Sequence, residues 1–135
     1  MTKFILVFIS LTGLWANNYP ENITGKWQVE HVDLLETTPK MPLKQRNTLL
    51  SQSNHYFLKE VFNFTADHRF HLTPQIKDWP KGGSWKYDAN NGVIKVTESS
   101  GIGTIMSIQV IEKSDTIFFS MQETPLIFRM IKKPD

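Results

Sequence analysis

The stretch Asn22-Ile-Thr-Gly-Lys-Trp-Gln-Val-Glu-His-Val32 decides the fold of this 135-residue chain. A turn ends at Gly25 and a strand opens behind it. Gly25, Trp27, Val29 and His31 share one side of a period-two strand, while Lys26, Gln28 and Glu30 take the other. The Trp27 side is expected to face inward, so the stretch reads as the first strand of a closed β-barrel.

Downstream, helical character is confined to one segment. Pro42 suits a first helical turn, and Leu43, Leu49 and Leu50 fall on roughly one side of a helix reaching to about Ser53. From Tyr56 the period changes to two, with Tyr56, Leu58, Phe62 and Phe64 alternating against Phe57, Lys59, Val61 and Asn63. Thr65 to His68 turns the chain, and Phe70 and Leu72 form a return strand that stops at Pro74. A loop from Pro74 to Gly82 carries Trp79. Ser84 to Tyr87 and Val93 to Thr97 then flank Asp88-Ala-Asn-Asn-Gly92, whose Asn-Gly pair supplies the positive φ of a hairpin turn. The longest strand is predicted over Ile102 to Ile111, with Ile102, Thr104, Met106, Ile108 and Val110 on its apolar face. Thr116 to Met121 and Leu126 to Ile131 complete a count of about eight. With short turns and no helical crossover after residue 55, the prediction is an all-β, eight-stranded, antiparallel up-and-down barrel with one short helix after strand 1.

Upstream, Met1 to Ala16 holds one cation, Lys3, ahead of the apolar run Phe4 to Ile9 and then Leu11 to Ala16, as a secretory signal peptide does. Polar Asn17, Asn18 and Glu21 stop the run short of the roughly 20 apolar residues a membrane span needs. Residues 1–16 are therefore expected to be removed and 17–135 to form the barrel, secreted or periplasmic, with no membrane span. The absence of cysteine excludes disulfides, thiolate catalysis and Cys-based zinc sites. Of 15 basic residues Lys3 leaves with the leader, so 14 face 13 acidic ones, a net +1. That is no footprint for nucleic acid, and Lys132-Lys133 read as a solvated tail.

Gly25-Lys26-Trp27 at the head of the first of eight meandering strands, behind a leader, resembles the lipocalin family and its bacterial lipocalin-like relatives. Phe62-Asn-Phe-Thr-Ala-Asp67 followed by Phe70, and Gly83-Ser84-Trp85 followed by Asp88 and Gly92-Val93-Ile94, are similar to the strand-turn-strand pattern of the bacterial domains. The resemblance covers the whole mature chain. It implies that Trp27 closes one barrel end at Gly25, that Arg129 packs across it, and that the protein binds a small, mostly apolar molecule rather than acting as an enzyme.

The residues themselves offer no rival chemistry. His68-x-x-His71 lies in a turn and strand where the imidazoles need not converge, so no metal is expected. No nucleophile stands in an elbow context and no base is paired with one, so neither enzyme activity nor a cofactor is expected. A barrel of about eight strands is either just filled by side chains or able to hold one small ligand. If hollow, its pocket opens at the end away from Trp27 and is lined by Tyr56, Leu58, Trp85, Tyr87, Met106, Phe119 and Met121, with Glu60 or His31 orienting a polar head. Glu60 and His31 fall on inward faces, where a charge is costly unless paired, so either they serve a ligand or a bulge turns them out. If the barrel is filled, the alternative is an interaction module that docks a protein partner through its outer loops, Trp79 above all.

Overall fold

Eight stretches of alternating apolar side chains hydrogen-bond edge to edge until the last meets the first, leaving no open sheet edge. The computed structural model describes residues 19–35, 41–74, 76, 82–99 and 103–134; residues 1–16, expected to be a leader, Trp79 and Ile102 lie outside the described residues. The strands are β1 (Gly25–Leu34), β2 (Val61–Phe64), β3 (Arg69–Thr73), β4 (Gly83–Asp88), β5 (Val93–Glu98), β6 (Thr104–Lys113), β7 (Thr116–Met121) and β8 (Leu126–Lys133), with helix α1 (Leu43–Phe57) between β1 and β2. Every neighbouring pair is antiparallel, and β8 runs along β1 from Leu126 opposite Leu34 to Lys133 opposite Lys26. Trp27 and the start of β1 lie at one end of the barrel. The other end gathers the end of β1, helix α1, the start of β2 and the end of β3.

The inward faces meet across the axis. Phe119 of β7 lies 5.8 Å from Trp27 of β1, and 5.9 Å and 6.2 Å from Phe62 and Phe64 of β2. Strands β7 and β2 are separated along the wall by β8 and β1, so these contacts cross the interior. Phe62 also reaches Phe128 at 6.2 Å and Phe70 at 5.9 Å, and Phe64 reaches Trp85 at 5.5 Å. Such tilted and edge-on pairs add to the area the rings bury.

Four expectations are corrected. The helix runs past Ser53 to Phe57, so Tyr56 sits on its last turn and Leu58 just after it, both exposed, rather than on a strand. The reason is Phe57, which stays helical and lays its ring 5.0 Å from Phe128, covering the barrel end. Lys59 then turns at φ 73° and β2 begins only at Val61. His31 is exposed, because the register slips between Val29 and His31 and the extra residue, Glu30, inverts the faces beyond it. On β8, Leu126, Phe128 and Met130 take the inner face, so Arg129 points outward and its Nε donates to Glu30 Oε1 at 2.9 Å.

The cation across Trp27 is Lys132, with its ammonium 5.5 Å from the ring centroid. It continues the inner parity of β8 beyond Met130 and is no free tail. Gly25, at φ 130°, leaves room for this side chain, since a Cβ there would come 2.9 Å from Lys132 Cε. The indole Nε1 of Trp27 donates to the Ile23 carbonyl at 2.8 Å, tying the lead-in segment beneath it.

Two positions should show how tightly this scaffold is specified. Trp27→Ala is expected to cost about 3 to 5 kcal/mol in chemical denaturation, as truncation of large buried aromatics does; a loss below about 1 kcal/mol would show Trp27 to be peripheral. Gly83 lies between Phe70 and Glu98 on its two partner strands, and a Cβ on it would meet the Thr97 carbonyl oxygen at 2.1 Å. Because that neighbour is backbone, Gly83→Ala should lose about 1 to 3 kcal/mol, against no loss if β4 shifts freely.

Candidate functional site

Helix α1 ends without a polar cap, and the residues just beyond it carry a charge inside. The Leu58 amide donates to the Asn54 carbonyl at 3.0 Å and closes the last turn. Lys59 then adopts the left-handed region, which aims its amide at the Val29 carbonyl, 2.9 Å away. The Val29 amide in turn donates to the Glu60 carbonyl, also at 2.9 Å. With its backbone held on both sides, Glu60 shares the inward parity of Phe62 and Phe64. The residue is 4% exposed.

This placement is unfavourable for an ionised carboxyl. Among the described residues Oε2 has no hydrogen-bond partner, and burial pushes the pKa of Glu60 up from 4.5 to about 7. It lies in the wall of a cleft of about 320 Å³ formed with His55, Tyr56, Leu58, Lys59, Pro74 and Ile76. Among the described residues no ion pair links Lys59 to Glu60. The rings of His55 and Tyr56 meet edge-on at 5.2 Å, so one flank of the cleft is aromatic, while Leu58, Pro74 and Ile76 are aliphatic. Space, apolar walls and a convergent polar group are what a small-molecule site requires.

Of the pocket residues expected from sequence, Tyr56, Leu58 and Glu60 come together here. The rest disperse. Met106 and Met121 line a second cleft of about 320 Å³ with residues of the β7–β8 turn, also at the end away from Trp27. Trp85 borders a third, of about 390 Å³, with His68, Ser84, Lys86, Lys95 and Thr97. Its indole Nε1 donates to the Thr65 carbonyl at 3.0 Å, and the His68 ring packs on it at 5.2 Å. Phe119 is fully buried among Trp27, Phe62 and Phe64, in the space a ligand on the axis would need. Tyr87 serves the fold: its hydroxyl donates to the Pro20 carbonyl at 2.6 Å, and burial raises its pKa to about 12. His31 stands outside, with Nε2 4.0 Å from Asp33 Oδ2.

His55, Lys59, Pro74 and Ile76 were missed. His55 lies in the last turn of α1, beyond the helix end expected near Ser53. Ile76 sits in irregular chain beyond the cut-off at Pro74, where no periodicity reports a side chain's direction. Among the described residues no group of three or more His, Asp or Glu is placed to hold a metal ion, and no helix is long and apolar enough to cross a membrane.

No family model and no curated protein match the chain. Among solved structures the chain is similar to the crystal structure of a DUF4847 family protein from Bacteroides vulgatus. The two are 13% identical, the likeness covers 82% of this chain and 95% of that chain, and the TM-score is 0.43.

Proposed function

We propose that the protein is a secreted or periplasmic, non-catalytic binding protein for one small amphipathic molecule, seated at the helix-covered barrel end. The observation that carries this reading is Glu60: a residue 4% exposed, with carboxyl Oε2 buried and unpartnered among the described residues, in the wall of a cleft with apolar and aromatic flanks. A buried polar group left without a partner costs on the order of 1 to 3 kcal/mol, and a ligand bringing that partner recovers it on binding. The rings that meet across the axis support a seat at the rim over one deep inside.

A neutral apolar fluorophore such as N-phenyl-1-naphthylamine should brighten on binding and move backbone amide signals of residues 55–61. Leu58→Trp, at an exposed rim position, should fill the cleft and weaken binding about tenfold while leaving the melting temperature within a few degrees. Undiminished binding in that variant would take the site elsewhere. No binding at all, together with capture of a protein partner that Trp79→Ala abolishes, would favour the docking reading.

The carboxyl itself gives a stability signature. Because its folded pKa is raised, the folded state keeps a proton that the unfolded chain loses from about pH 4.5 upward. The contribution of Glu60 is therefore complete below that pH and is lost as pH rises through about 7. His55, Tyr56 and Lys59 are the titratable groups sharing the cleft, and all remain in Glu60→Gln. At pH 8 that variant is expected to exceed the parent by on the order of 1 to 2 kcal/mol, with the difference vanishing near pH 4. Urea melts at the two pH values check this; equal stabilities at pH 8 would mean that the carboxylate is solvated after all.

A further inference from the structure

We propose that the molecule held at this barrel end carries an ammonium group, with Glu60 as its counter-ion and the rings of Tyr56 and His55 as a π flank. The inference rests on the ligand-binding reading and names the chemical class that the cleft selects.

Three features of the cleft favour a cation over the other head groups an amphipathic molecule could bring. The first is the kind of group left unpaired. An ionised carboxylate only accepts hydrogen bonds, and Oε2 of Glu60 receives none among the described residues. A hydroxyl supplies one donor; an ammonium supplies up to three together with the opposite charge, and charge-assisted bonds are roughly twice as strong as neutral ones. A ligand carboxylate would place like charge against Glu60 and bind only when Glu60 holds its proton.

The second feature is the flank. Tyr56 presents an exposed ring beside the cleft, edge-on to His55, and aromatic faces attract cations through their quadrupole. The third is the disposition of the competing cation. Lys59 also lines the cleft, but it is exposed and makes no ion pair with Glu60 among the described residues. Lys59 thus leaves the carboxyl without an ion-pair partner among the described residues. Leu58, Pro74 and Ile76 provide the apolar surface for a short tail, and about 320 Å³ is near the lower limit of small-molecule pockets, so the tail is short.

Calorimetric titration at pH 7.5 with octylamine, octanol and sodium octanoate, all of one chain length, separates head group from tail. Octylammonium is expected to bind about tenfold more tightly than octanol or octanoate. Glu60→Gln should bring it down to the octanol level without weakening octanol. Tyr56→Leu, at an exposed position outside the packed core, should lower octylammonium affinity about threefold more than it lowers octanol affinity, and it serves if the Glu60 variant does not fold. If octanol or octanoate binds as well as the amine, or if both variants keep the amine preference, the ammonium assignment falls while the cleft remains a ligand site. If none of the three binds, the ligand-binding reading falls with it.

Discussion

Strand β1 hydrogen-bonds on both sides at once, and the bulge at Glu30 in its pairing with β8 sets which side chains face the core. Up to Gln28 it pairs with β2 on one edge while β8 occupies the other along nearly its full length. Beyond that point β2 has not yet begun, and the free groups of Val29 are taken by Lys59 and Glu60. The inserted residue bends the strand toward the barrel end and restores Val32 and Leu34 to the inner face. A regular strand would have put His31 inside and Val32 outside. The same irregularity that keeps the core apolar thus receives the chain returning from α1 and fixes where Glu60 enters.

At the opposite end the constraint is steric. Trp27 fills the barrel mouth with Lys132 over its ring, and Gly25 at φ 130° supplies a backbone conformation that other residues rarely adopt and leaves space for the lysine stem. The cation comes from the end of β8 rather than from its middle because inner and outer positions alternate strictly there, and Phe128 and Met130 are needed inside. Arg129 is left to pair with Glu30, the residue that the bulge inserts. That exposed ion pair joins β8 to the bulge of β1, although its solvent exposure keeps its contribution small, below about 1 kcal/mol.

The barrel, its strand order and the inward Trp27 were legible because they follow from period-two alternation and turn residues, both local signals. Strand β6 is an instance: Met106, Ile108 and Val110 are buried as their spacing implied. What local signals do not carry is the point at which one period yields to another. Tyr56 and Leu58 alternate as a strand would, yet Phe57 gains more by remaining helical and capping the core against Phe128. His31 shows the same limit, since a bulge leaves no mark in composition. Parity could have found Lys132, because 126, 128, 130 and 132 run on one face, but a charged residue near a terminus reads first as solvated. Of the proposed site, Glu60 was visible as an inward charge; its partners Pro74 and Ile76 come from a tertiary contact with the end of β3.

An eight-stranded barrel whose axis is crossed by aromatic rings has little room to bind anything internally, and its buried carboxyl sits at the rim rather than among those rings. Every inner position from Phe62 through Phe70 is apolar, and the one buried carboxyl among the described residues stands where the rings stop and the cleft begins. A glutamine or leucine at that point would fold at least as well, since neither carries a charge to desolvate. Once ionised, Glu60 therefore subtracts from stability, and this cost is the physical basis of the proposed ligand site. The packed aromatic interior makes this tolerable: its rings hold the barrel closed, so the rim can keep one group unsatisfied.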